Sequence, residues 1–282
     1  MIEQTKKAAP IRQLCRLLGV SHSAYYARQA KQKTIDVARV RLRTEVQAIA
    51  RESGDSYGSR RIAQALCRRG HKVGRYRAAS LMREAGVVAN VPKPHRYRPS
   101  GPPAHVAPNR LDRQFEVATP NTAWAGDITY IATHKGWAYL AIVLDLCSRR
   151  VVGWAFSDTP DTNLVIRALF QALQVRPRGG TLMFHSDQGC QYTSQAFRDY
   201  LRKQGITQSM SRRGNCWDNA VVERFFRSLK TERTRYVPYA DHAQAKADIT
   251  DYIATFYNHQ RLHSSANNLP PALYEASLSQ AA

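Results

Sequence analysis

The sequence predicts small all-α helix-turn-helix modules followed by an α/β domain: a mixed five-stranded sheet flanked by helices. Three observations carry this. After residue 121 the hydrophobic patterns run strand, strand, strand, helix, strand, helix, strand, helix, an order that requires a mixed sheet with helical cover. Before residue 88, short apolar stripes at helical spacing are closed by glycine. The charge also changes along the 282-residue chain. Residues 1–118 hold 24 Lys/Arg against 8 Asp/Glu, a net of +16, whereas residues 119–282 hold 18 against 13, a net of +5.

Taken in order, Ile11, Leu14, Leu17 and Leu18 form one stripe, Gly19 closes it, and Ser21 can cap the next helix, giving an N-terminal helix-turn-helix segment over 1–35. A second helical module spans 36–88. It has a connecting helix at 36–52, a helix that Ser59 can cap and that ends near Gly70, and a helix from Arg75 to Ala85 ended by Gly86. Arginine is concentrated on this module, and Arg60, Arg61, Arg75, Arg77 and Arg83 are candidates for DNA contact. Residues 89–120 contain seven prolines with Arg96 and Arg98 among them, and read as a stiff basic linker that could lie along phosphates. The α/β domain is expected over 121–238. Its strands are Ala123–Thr133, Trp137–Leu146, Arg150–Phe156, Leu182–His185 and Ile206–Gln208. Its helices are Leu164–Leu173, Gln195–Lys203 and a long one from about Asn219 to Arg235. A C-terminal helix near 241–257 and a polar tail complete the chain over 239–282.

Composition narrows the function. A net charge of +21 at pI 10.2 calls for an anionic partner, nucleic acid before a membrane surface. Five scattered cysteines with no C-x-x-C pair indicate neither a disulfide framework nor a zinc ribbon, and Cys15, His22, Cys67 and His71 have no tetrahedral spacing. The most apolar run, Trp137 to Cys147, is interrupted by Asp145 and is too short to span a bilayer. With no signal-peptide pattern either, the expected location is the cytoplasm, without a membrane partner.

The few acids of the second domain carry the chemistry. Asp127 lies within an apolar strand, where a carboxylate is costly unless paired or metal-bound. Asp187 ends a buried strand and is followed by Gln188-Gly189. Glu223 lies on the long helix. At 100° per residue, Asn219, Arg227 and Lys230 all fall within about 40° of it, while Val222, Phe225, Phe226 and Leu229 form the buried side. Three oxygen donors from separate elements could hold Mg²⁺ or Mn²⁺, and two such ions would serve an in-line phosphoryl displacement. Asp145 is the main rival ligand; the alternative for it is pairing with Arg149 or Arg150.

Thirty-five residues separate Asp187 from Glu223, and this run resembles the DDE signature of transposases and retroviral integrases. The words around it sharpen the likeness: His185-Ser186-Asp187-Gln188-Gly189-Cys190-Gln191-Tyr192, and Ser211-Arg212-Arg213-Gly214-Asn215-Cys216-Trp217-Asp218-Asn219-Ala220 before Glu223. Tyr257-Asn258-His259-Gln260-Arg261-Leu262-His263 follows, with Pro270 beyond it. Upstream stand Tyr57-Gly58-Ser59-Arg60-Arg61 and Leu81-Met82-Arg83-Glu84-Ala85-Gly86. Together they resemble the OrfB-type DDE transposases of bacterial insertion sequences.

The resemblance implies a ribonuclease-H-like, integrase-type catalytic core in which Asp127, Asp187 and Glu223 form the metal triad and Lys230 is placed against DNA. It implies nicking at element ends and joining of the freed 3′-hydroxyl to another phosphodiester, on double-stranded DNA of ends and target. A homo-oligomer and an upstream-frame product are the implied protein partners. Arg212, Arg213, Arg227 and Asn219 are further candidate DNA contacts. Alternatives of other classes are a plain metal-dependent nuclease and a DNA-binding regulator with an inactive nuclease-like domain. For His185 the readings are a tuner of Asp187 or a structural histidine. For Arg261 and His263 they are phosphate binding or anchoring of the tail.

Overall fold

The computed structural model describes residues 10–33, 36–90, 106–176 and 180–280; the candidates Arg96 and Arg98 lie outside them. Among the described residues five helices precede the sheet: α1 (Ile11–Leu17), α2 (His22–Lys33), α3 (Val37–Glu52), α4 (Ser59–Arg68) and α5 (Arg75–Glu84). Asp36 caps α3 by accepting the Arg39 amide. Helices α4 and α5 open after Gly58 and Gly74 without a side-chain cap, so Ser59 is the first helical residue rather than the cap. Their apolar stripes meet in one small core around Val46, Ile49, Ile62, Leu66, Ala78 and Leu81. That core also takes in Leu262 from the far end of the chain, whose amide donates to the Tyr57 hydroxyl at 2.9 Å. The helical module is therefore seated on the C-terminal region.

Residues 106–120 likewise depart from a free strap. Ala107 and Leu111 are buried, and the amides of Arg110 and Leu111 donate to Ser209 Oγ at 3.0 and 3.2 Å. Burial of these two apolar side chains and the hydrogen bonds to Ser209 dock the stretch on the domain.

The sheet comprises β1 (Ala123–Thr133), β2 (Gly136–Asp145), β3 (Val151–Ser157), β4 (Met183–Ser186) and β5 (Thr207–Met210), in the order β3-β2-β1-β4-β5. Strands β1, β2 and β3 pair antiparallel, while β4 runs parallel to both β1 and β5. One face is covered by α6 (Thr162–Val175), the short α7 (Cys190–Thr193) and α8 (Gln195–Lys203), through Trp124, Val143, Leu169, Phe184 and Phe197. A Cβ on Gly153 would lie 2.3 Å from the Ala168 carbonyl, so glycine lets α6 approach β3 this closely. The other face carries α9 (Ala220–Leu229) and α10 (His242–Asp251), through Ala125, Leu140, Ile142, Val222, Phe225 and Ile249.

The two long helices expected near the C-terminus are each subdivided. A 3₁₀ turn, Cys216–Asn219, precedes α9, and a π turn, Lys230–Thr234, follows it. A second π turn, Tyr252–Tyr257, follows α10. The tail is also more ordered than its polarity foretells. It ends in α11 (Pro271–Gln280), with proline at the first helical position and Glu275 held by Arg150 and Arg176. No helix among the described residues is long and apolar enough to cross a membrane.

Candidate active site

The parallel pairing of β1 and β4 sets Ala125 beside His185. Carried two residues on, that register brings Asp127 and Asp187 to the same end of the sheet. Gly126 leaves room for the Phe184 ring against β1, since a Cβ there would lie 2.4 Å from it. Both carboxylates are oriented by local amides: Ile128 N–H donates to Asp127 Oδ1 at 2.7 Å, and Gly189 N–H to Asp187 Oδ1 at 3.0 Å. Glu223 stands in the first turn of α9, which packs on β1.

The three acids sense each other. Burial raises the Asp127 carboxyl well above the usual carboxylate range, and Asp187 and Glu223 push it further. Burial raises Asp187, and burial with the Asp187 charge raises Glu223 against the pull of Arg227. Lys230 is lowered by desolvation and held up by Asp127. Asp127, Glu223, Arg227 and Lys230 line one open groove of about 1410 Å³. Among the described residues, no three His, Cys, Asp or Glu side chains already converge as a metal site. The structure thus brings the acids into electrostatic reach without a formed cage.

Other candidates are placed differently. Asp145 is fully buried and accepts from the amides of Asn121, Cys147 and Ser148, the Ser148 hydroxyl and the Trp124 indole. With its oxygens used this way it is a structural carboxylate, and its partners are not the two arginines expected for it. His185 is buried between Ser209 and Ser211, and desolvation lowers it to about 4, so it is a neutral structural histidine.

Asn219 is only 4% exposed and donates to the Gly126 carbonyl. It belongs to the 3₁₀ turn, so the helical wheel that put it beside Glu223 does not extend to it. Arg212 is committed to Asp218 and Asp112, whereas Arg213 is exposed. Arg60, Arg75, Arg77 and Arg83 are exposed on α4 and α5, but Arg61 turns inward over the Tyr57 ring toward Glu232. Arg261 is buried on Glu232, and His263 is buried and lowered to about 3 by desolvation, so both anchor the tail.

Sequence reasoning missed Asp218. It is buried and accepts from the Arg212 amide and guanidinium, Arg113 and Asn109, tying residues 109–113 to the turn before α9. Its place in the run from Ser211 to Ala220, six residues after Arg212, was the available signal. The arginines hold it below the usual carboxylate range. A depressed acid contributes stability above its unfolded pKa and loses it as pH falls toward the folded value. Asp218→Asn should therefore lower stability by about 3 kcal/mol near pH 7. The difference from wild type should vanish in acid; denaturant melts from pH 7 to 2 test this, and a pH-independent difference would contradict it.

Comparison with known proteins accords with these elements. Integrase core domain models match residues 118–216 and 204–271, and an HTH-like domain model matches 38–95. Transposase InsF for insertion sequence IS3A of Escherichia coli (strain K12) is 35% identical over 280 residues, covering 97% of this chain and 96% of that protein. The insertion element IS600 uncharacterized 31 kDa protein of Shigella sonnei is 34% identical over 276 residues, covering 95% and 100%. Among solved structures, the simian T-cell lymphotropic virus intasome aligns at 18% identity and TM-score 0.43, covering 73% of this chain and 66% of that one. The HTLV-2 integrase catalytic core domain in complex with magnesium aligns at 21% and 0.40, covering 56% and 97%. Identity of 35% sustained from one end to the other marks common descent of the whole architecture, and the chain belongs to the insertion-sequence transposases with an integrase core domain: it is a DNA transposase, a polynucleotidyl transferase of ribonuclease-H-like fold.

Proposed function

We propose that this transposase nicks the ends of an insertion element and joins the freed 3′-hydroxyl to another phosphodiester, in the groove between β1 and α9. One observation supports the reading above all: Asp127, Asp187 and Glu223, from three separate elements, perturb one another beside the cations Lys230 and Arg227. The donor set fits a hard divalent cation. It is all carboxylate, its members repel one another, and the nearby His185 uses both ring nitrogens on serines. Asp127, Asp187 and Glu223 would hold Mg²⁺ or Mn²⁺, in a two-ion arrangement. When bound, such ions activate an attacking oxygen and stabilise a leaving one.

The chain's own residues supply the rest. The Ile128 and Gly189 amides hold the two aspartates in orientation. Lys230, partly buried and set over the Tyr130 ring, offers its ammonium to a non-bridging phosphate oxygen, and the exposed Arg227 extends that positive edge along the strand. In nicking, a water oxygen forms the new bond to phosphorus as the bond to the 3′-oxygen breaks; the water gives up a proton to solvent and the leaving 3′-oxygen takes one up to become the 3′-hydroxyl. In joining, that 3′-oxygen takes the place of water. No side-chain nucleophile is required. The experiment is incubation of the full chain with pre-nicked element-end DNA and Mg²⁺ or Mn²⁺. Joined products are expected; nicks without joining would overturn the reading in favour of a plain nuclease.

DNA is gripped by the helical module, with Arg60, Arg75, Arg77 and Arg83 as the phosphate contacts and the exposed Arg213 as a further one. Each contact contributes about −0.9 to the slope of log K against log salt. Replacing Arg60, Arg75, Arg77 and Arg83 together by glutamine should flatten the slope by up to about 3.6 in a salt titration on duplex DNA; an unchanged slope would remove them from the interface. Two element ends must be held at once, which calls for a homo-oligomer, with an upstream-frame product as a second partner. The setting is the bacterial cytoplasm, on nucleoid DNA.

A further inference from the structure

We propose that Tyr130 and Trp137 form a stacking platform for an unpaired base of the DNA strand held in the groove. The proposal rests on the strand-transfer reading and adds to it a subsite with its own chemistry. The two residues flank the hairpin that joins β1 and β2. Trp137 pairs with Ala132, so Tyr130, two residues earlier, is its diagonal neighbour on the same surface of the ladder. Their rings meet edge to face, with centroids 5.1 Å apart and planes at 89°.

Unlike the aromatics packed in the two cores of the sheet, these are 50% and 53% exposed. Both line the groove that holds Asp127 and Glu223, and Lys230 Nζ lies 4.7 Å from the Tyr130 centroid. Ammonium and two rings thus run in series from the carboxylates toward the hairpin.

That series selects the occupant. A hairpin can be closed by small or β-branched cross-strand pairs, so two large rings left half in water are unfavourable unless something covers them. Arg227, Lys230, Arg235 and His134 also line the groove, which disfavours a basic or purely apolar partner. A cation for the phosphate with a ring face for the base is the combination that holds single-stranded nucleic acid. Bases inside a duplex keep their faces covered by their neighbours. The platform therefore engages a nucleotide released from the stack, and release is least costly where pairing is already lost, at a nick or a frayed end.

The test is binding by the full chain in EDTA, where no chemistry occurs. The probes are a fluorescein-labelled blunt duplex of mixed sequence and the same duplex with a short 3′ oligo-dT tail. Wild type should prefer the tailed probe. Tyr130→Ala and Trp137→Ala should each lose roughly fivefold or more of that preference, the lower bound for one stacked base. Tyr130→Phe and Trp137→Phe should keep most of it, and they decide the matter if an alanine variant melts early. Absence of a tail preference in wild type, or alanine variants whose two affinities fall in parallel so that the ratio holds, would overturn the platform. A protein that prefers the tail yet never joins DNA would sink the strand-transfer reading and leave the platform standing; joining without tail preference would do the reverse.

Discussion

Asp127→Asn, Asp187→Asn and Glu223→Gln should each reduce nicking and joining by about a thousandfold, roughly 4 kcal/mol of transition-state stabilisation, while the protein stays folded. Each substitution keeps the shape of the side chain and removes one negative donor. If the three act as a unit, a double variant should be little worse than a single one. Stability separates this from a structural role. Burial raises all three carboxyls, and neighbouring acids add to it for Asp127 and Glu223, so neutralising one relieves a cost, and the melting temperature without metal should stay level or rise. Added Mn²⁺ should raise the melting temperature of wild type and raise that of the variants much less. Asp145→Asn and Asp218→Asn provide the contrast, because both carboxylates are satisfied by surrounding donors and lie outside this trio; they should lose stability first. A variant of Asp127 that lost melting temperature and activity together would move that residue to the structural class.

The order of elements was legible because each carries its own period: alternation in β1 to β3, a 3.6-residue stripe in α6 and α9, glycine stops in the helical module. Asp127 stood out because an acid in an apolar strand is costly without a partner, and Asp187 and Glu223 by their spacing and the words around them. What stayed hidden depended on partners distant in sequence. Residues 106–120 look like a strap until Ser209 and Asp218 are seen to receive them. Arg212 looks free until Asp218 claims it, and Arg61 until Glu232 does. Asp145 looks like a ligand because the donors that satisfy it are mostly backbone amides, which no side-chain pattern records. The 3₁₀ and π turns around α9 shift the phase of the wheel, so Asn219 was misplaced, whereas Arg227, inside the regular helix, was not.

Glu232→Ala should destabilise the protein by about 3–5 kcal/mol, with a fall of roughly 10 °C in melting temperature. Its side chain is 4% exposed and that of Arg261 is 3% exposed. Arg261 Nε reaches both Glu232 oxygens at 2.9 and 2.8 Å, Arg261 Nη2 donates at 2.7 Å, and the Tyr252 hydroxyl donates at 2.6 Å. Arg61 approaches to 3.9 Å. Removing the carboxylate leaves two cations together in a desolvated place and a buried hydroxyl without its acceptor. Glu232→Gln, which keeps an acceptor and drops the charge, should fall between. Glu232→Leu with Arg261→Met should recover much of the loss, because apolar packing avoids desolvating both charges and Arg61, still 32% exposed, can turn to water. Denaturant melts of wild type and the three variants measure this; an alanine variant as stable as wild type would show that the pair contributes nothing. The place of the network gives the loss a functional edge. Glu232 shares the π turn with Lys230, and its partner Arg261 adjoins Leu262, on which the helical module is seated through Tyr57. Adjacent residues, Arg261 and Leu262, thus hold the turn bearing Lys230 and seat the helical module, so joining by the alanine variant should fall further than its folded fraction does.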